Sequence, residues 1–171
     1  MMRTFLLLAT VATALAATTA LPAHAITSTS FTLTAGALSI SAPTGDTVSL
    51  GSQVASTTSS TISGPLGVVT VSDQRGGATS WTASVISSAF TPPSGPADPA
   101  SNVSYATGTI TTSATVVATQ VAASDLTGVS PIVTGTSTGI SSATWNPTIS
   151  VHVPANFAPG VYAATITHSV A

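Results

Sequence analysis

Val68-Val69-Thr70-Val71-Ser72, then Asp73-Gln74-Arg75-Gly76-Gly77, then Trp81-Thr82-Ala83-Ser84-Val85-Ile86 read as a strand, a turn and a second strand. Branched side chains suit a pleated surface and lose rotamer freedom in a helix, so the two flanks favour extended backbone. The glycine pair marks the reversal between them. Asp73 and Arg75 sit where an ion pair can brace that turn. Trp81 shares its side with Ala83 and Val85, so its indole is expected to point into a core.

Working outward, the same grammar recurs. Phe31 and Leu33 share one parity and Leu38 and Ile40 the other, with Gly36 between them as a bulge or tight turn. Further strands are expected at Thr58 to Ser63, Val103 to Tyr105, Thr109 to Thr119, Val121 to Leu126, Pro131 to Thr134, Thr148 to Val153 and Gly160 to Ala171. After Ala25 there is no Glu, no Lys, one Arg and five Leu, so helix formers are scarce. Short strands separated by Gly, Pro, Asn and Asp clusters are the pattern of an all-β fold, here read as an Ig-like, Greek-key β-sandwich. The stretch from Thr91 to Asn102, with Pro92, Pro93, Pro96 and Pro99, reads as a projecting loop of one domain. No fixed-period repeat points to a solenoid.

The amino terminus reads differently. Arg3 precedes an apolar run from Phe5 to Leu21, followed by Pro22 and Ala23-His24-Ala25. That is the order of a secretory signal, with cleavage expected after Ala25. Residues 1–25 are thus assigned to the signal and 26–171 to a single domain. No membrane partner is expected after cleavage.

Composition narrows the partners. The chain has 171 residues, 4% of them charged, no cysteine, and 32 Thr and 26 Ser. A charged fraction this far below the roughly 25% of ordinary domains leaves hydroxyls to keep the surface wet. Residues 26–171 carry Arg75 against Asp46, Asp73, Asp98 and Asp125, a side-chain charge of −3. Nucleic-acid binding rests on Lys and Arg contacts to phosphate, and this chain has no lysine and only Arg3 and Arg75, so no nucleic-acid partner is expected. Disulfides and thiolate metal sites are excluded by the missing cysteine, and no cofactor is expected.

Gly135-Thr136-Ser137-Thr138-Gly139 matches the nucleophile-elbow pattern of serine hydrolases. That motif needs a strand before the serine and a helix after it. The following Ile140 to Pro147 is a poor helix ending in proline, so a chance match in a Ser/Thr/Gly-rich chain is the better reading and no enzyme is expected. His168 shares parity with Tyr162, Ile166 and Val170 and reads as a core imidazole, whereas His152 points to solvent. Trp145 is in phase with Ile149 and Val151, and Tyr162 with Ile166, so both are expected to face the core. Tyr105 and the Pro-rich loop are left as exposed contact candidates. Asn102-Val103-Ser104 matches a glycosylation sequon. Thr-x-Thr pairs raise an ice-binding face, but without periodicity they read as solvated strand faces.

The run from Val71 through Asp73, Arg75 and Gly76 to Trp81-Thr82-Ala83, with Gly160-Val161-Tyr162 and His168-Ser169-Val170 near the end, resembles the WxL-type surface domain of Gram-positive bacteria. The opening Phe31 to Ile40 resembles that family's start. Ala83 stands where the first motif has leucine, His168 where the second has tryptophan and Val170 where it has leucine, as in divergent, actinobacterial-like secreted relatives. The resemblance implies non-covalent attachment to the cell wall through peptidoglycan; other surface proteins are the alternative partners expected. A rival reading is a pilin- or fibre-like subunit that assembles by pairing β-strand edges, because low charge and long strands make edges sticky.

Overall fold

In the computed structural model, residues 25–44 and 48–171 are described. The expected signal peptide, apart from Ala25, and the turn containing Asp46 lie outside these residues. Residues 25–33 carry no regular secondary structure and are exposed along their whole length, Phe31 and Leu33 included. The strand expected there is therefore absent. The first strand begins at Leu38, and Thr34–Ala171 forms one compact unit.

That unit is all-β. Its strands are β1 (Leu38–Ser41), β2 (Ser60–Pro65), β3 (Val69–Asp73), β4 (Thr79–Ser87), β5 (Val103–Ala106), β6 (Ile110–Thr112), β7 (Val116–Gln120), β8 (Ser130–Ser137), β9 (Ser141–Trp145), β10 (Thr148–Val153) and β11 (Ile166–Val170). They pair antiparallel in three sheets, ordered β1-β3-β9-β6, β2-β10-β5 and β11-β4-β8-β7.

The first two sheets are halves of one creased layer. β2 runs on into β3, β10 follows β9, and β5 runs on into β6, with each pair of halves in the same antiparallel ladder. Across the crease the Leu66 N–H still donates to the Pro147 carbonyl at 2.9 Å. The crease falls at Gly67, Gly108 and Pro147. Both glycines have positive φ, 95° and 73°, a conformation that side chains bearing a Cβ disfavour, and proline withdraws a ladder donor. All three strands thus bend at one line.

The second layer, β11-β4-β8-β7, packs on the inner face of the first. Val69, Val71, Trp145, Ile149, Val151 and Val103 from the first layer meet Trp81, Val85, Val116, Ile132 and Val133 from the second. Each side chain of this size contributes roughly 1.5–3 kcal/mol on full burial. The alternation that places them is the period-2 pattern legible in the sequence, with one exception. Ile132 and Val133 are both buried because the β4–β8 register shifts there, Ala83 facing Val133 and Ser84 facing Pro131.

Four expectations are corrected. Thr109 to Thr119 is two strands, broken at Ser113–Thr115, where the chain crosses between layers. Hydroxyls make that break, since Ser113 Oγ accepts from the Ser142 N–H at 3.1 Å and Thr115 Oγ1 donates to the Ile140 carbonyl at 2.7 Å. Val121 to Leu126 is not a strand. Asp125 accepts from the Thr127 N–H and hydroxyl and turns the chain there. Residues 141–145, read as a poor helix, form β9 at the centre of the first layer. The final strand starts at Ile166, not at Gly160. The loop after Thr91 closes at its base, where Phe90 and Asp98 exchange backbone hydrogen bonds of 2.8 and 2.9 Å.

Candidate functional site

The turn that opened the sequence reading carries a buried carboxylate. Asp73 ends β3 with no exposed side-chain surface and accepts from Arg75 Nε at 2.9 Å and Arg75 Nη2 at 3.0 Å. The Arg75 N–H adds a bond of 3.1 Å and the Thr79 hydroxyl, at the start of β4, one of 2.7 Å. Arg75 Nη2 also donates to the Ser80 carbonyl at 2.9 Å. Hydrogen bonds from the Arg75 side chain, joined by Thr79 and the Arg75 backbone, hold the Asp73 carboxyl well below the usual carboxylate range against the opposing effect of burial. Gly76 and Gly77, at φ 74° and 73°, give this turn its left-handed backbone. Among the described residues Arg75 is the one basic side chain besides histidine, and it is committed to bracing a layer crossing.

A second polar group lies inside the sandwich. Trp145 Nε1 on β9 donates to the Tyr105 hydroxyl on β5 at 2.9 Å. That hydroxyl lies 3.1 Å from His168 Nε2 on β11, and the two rings meet edge-on with centroids 5.6 Å apart. With the phenol accepting from the indole, the arrangement that gives every proton of this chain a partner has the phenol donating to Nε2 of a neutral imidazole whose own proton is on Nδ1. Burial pushes the Tyr105 phenol up and the His168 imidazole down. Tyr105 is 3% exposed, which corrects the expectation of a surface contact. Its place opposite Ile149 on the inner face of β5 fixes that direction.

The other aromatic candidates separate. Trp81 is buried flat against Gly135 of β8, its indole N–H without a hydrogen-bond partner. Tyr162 is half-buried outside the core cluster, stacked on Phe157 at 5.8 Å and donating to the Ala158 carbonyl at 3.0 Å. The backbone there has not yet joined β11, so strand parity does not steer the ring inward. His152 is exposed on β10.

Ser137 does not sit on an elbow. It ends β8 fully buried, its hydroxyl 2.7 Å from that of Ser141, and residues 138–140 lead into β9 and not into a helix. The Ser137–Ser141 contact ties the two layers beside the Asp73–Thr79 contact. Asn102 of the sequon uses its amide to donate to the buried Asp98 at 2.6 Å. Among the described residues no three His, Cys, Asp or Glu side chains come together.

Among the described residues are open depressions of about 270 and 620 Å³. The larger runs between β6 and β7, lined by Gly108, Thr109, Ile110, Ala118, Thr119 and Gln120. Neither is lined by an aromatic or titratable side chain.

What the surface does present is hydroxyl in register. On the outer face of the first layer Ser41, Thr70, Thr144 and Thr111 are successive cross-strand partners, and Ser39, Ser72 and Ser142 form the next rank. Thr70 and Thr144 hydroxyls lie 3.3 Å apart. Beyond the crease Ser63, Ser150 and Ser104 form a third rank. The second layer repeats the arrangement with Thr82, Thr134 and Thr119. The Thr-x-Thr pairs mark solvated strand faces, but the ranks themselves are not legible in the sequence, because they depend on which strands are neighbours. Thr79, Ser141 and the role of Tyr105 were missed for the same reason. Comparison with protein-family models, curated proteins and solved structures found no match for this chain.

Proposed function

We propose that the protein is a secreted, non-enzymatic surface protein that associates non-covalently with the cell wall through the hydroxyl-bearing outer faces of its sandwich. The carrying observation is the set of charge-free Ser and Thr ranks on neighbouring strands, one of which crosses all of β1, β3, β9 and β6. Hydroxyls in register suit an extended, hydroxyl-rich polymer such as the glycan of peptidoglycan, which offers donors and acceptors along its length. Both tryptophans are enclosed in the core, so neither is offered for stacking on sugar. The signal-like amino terminus and the likeness to WxL-type domains support export and wall association.

The second reading, assembly by edge pairing, draws on β7. This edge strand, Val116–Gln120, has neither proline nor charge to guard its unpaired side. Co-sedimentation with isolated peptidoglycan separates the two. The wall reading expects the monomeric protein to pellet with the wall and the variant Thr70→Val/Thr144→Val/Thr111→Val to stay in solution at unchanged Tm. Concentration-dependent polymers without wall uptake contradict it and support edge pairing.

A further inference from the structure

We propose that His168 is an acid-sensitive latch holding the edge strand β11 against the opposite layer of the sandwich. β11 is outermost in its sheet and pairs with β4 alone. Its polar link to the first layer is the chain from Trp145 Nε1 through the Tyr105 hydroxyl to His168 Nε2, at 2.9 and 3.1 Å. The chain runs in one direction. The indole can only donate, so the phenol accepts from it, and the phenol proton finds a partner when Nε2 carries none.

Protonating that nitrogen sets two donors against each other. The phenol would then accept from both sides, and its proton would point at no acceptor in a buried place. Among the described residues no unpaired charge faces the ring to settle the imidazolium. Tyr105 is the titratable group facing the ring from β5, and burial keeps it neutral. β4, paired with β11, presents no titratable side chain, and neither do β1 and β9. The carboxylate of Asp73, at the end of β3, is already bound by Arg75 and Thr79. His168 is half-buried, and its Nε2 faces the enclosed Tyr105 hydroxyl, so the cation is better accommodated with β11 released, where water reaches that nitrogen.

The sign follows from linkage. A histidine kept neutral by the fold stabilises it fully above the ordinary histidine value, and this contribution is lost as pH falls through and below that value. The inference is independent of the wall reading.

Amide hydrogen exchange followed by NMR between pH 8 and pH 5, each rate divided by that of an unstructured peptide at the same pH, tests the latch. The expected result is that opening of residues 166–170 rises on acidification while β3 and β9 stay protected. The rise has a ceiling of about 30-fold at pH 5, set by an ordinary value of about 6.5. In His168→Gln the rise is absent, and in the exposed-site control His152→Gln it remains. A flat profile in the wild type, the same rise in His168→Gln, or loss of protection in β3 and β9 in step with β11 each overturns the proposal. Should His168→Gln fail to fold, direct titration of the His168 ring in the wild type decides. A value below 6.5 supports the latch and one at or above it overturns it.

Discussion

Replacing Gly135 by alanine tests how tightly Trp81 is clamped between the layers. An added Cβ on Gly135 would overlap Cε2 and Cζ2 of the Trp81 ring and lie 2.7 Å from its Nε1. Comfortable carbon contacts are about 3.5–4.0 Å, so ring or strand must shift by roughly an ångström. Neither has room, since Trp81 is 3% exposed and Gly135 is the cross-strand partner of both Trp81 and Ala118 in the middle of its sheet. Overpacking of a closed core costs about 1–3 kcal/mol, and a clash with a rigid bicyclic ring belongs at the upper end. For a unit of this size about 3 kcal/mol lowers Tm by roughly 10 °C. The control is Trp81→Phe, which deletes the clashing part of the ring together with a buried N–H that has no partner. In that background Gly135→Ala should cost less than about 1 kcal/mol, a coupling of about 2 kcal/mol in a double-mutant cycle. Urea unfolding of the four proteins reads these numbers. A Gly135→Ala loss within about 0.5 kcal/mol of zero, or an equal loss in both backgrounds, would refute the packing of Trp81 on β8.

Three further outcomes follow from the same geometry. Tyr105→Phe leaves the Trp145 N–H buried without an acceptor and His168 without a donor, so urea unfolding should show a loss of about 1–3 kcal/mol. Asp73→Asn should lower the urea midpoint at neutral pH. Because the native carboxyl is held below its ordinary value of 3.8, the gap to wild type should stay constant well above that value and narrow as pH falls below it. A gap unchanged down to pH 2 would contradict the bracing role. Gly108→Ala, at φ 73° on the crease, should cost about 1–2 kcal/mol, measured as a shifted urea midpoint without change in slope.

The sequence announces this fold where alternation is carried by large side chains. Val69, Val71, Trp81, Val85, Ile149 and Val151 keep strict parity, and their strands lie within a few residues of expectation. It is silent where small or polar residues do the same work. Ser141, Ala143 and Trp145 face inward on β9, yet only the last is recognisably apolar. Hydroxyl turns were missed for a related reason: Ser113 and Thr115 reverse the chain by bonding backbone groups of residues 140 and 142, which are distant in sequence. In the candidate sites Asp73 and Arg75 were legible because a turn is local. Tyr105, His168 and Trp145 meet only because β5, β9 and β11 converge across two layers. A lone tyrosine in a Ser/Ala-rich stretch gives no hint of that, and the same holds for the outer ranks of threonine and serine.

The central claim is that the protein touches its partner through short-range hydroxyl contacts and not through charge, and the salt dependence of wall binding tests it most directly. Between about 0.01 M and 1 M salt the screening length falls from about 30 Å to about 3 Å. The account predicts that the fraction of protein pelleting with isolated peptidoglycan stays the same across that range. Release of the protein as salt rises would contradict it.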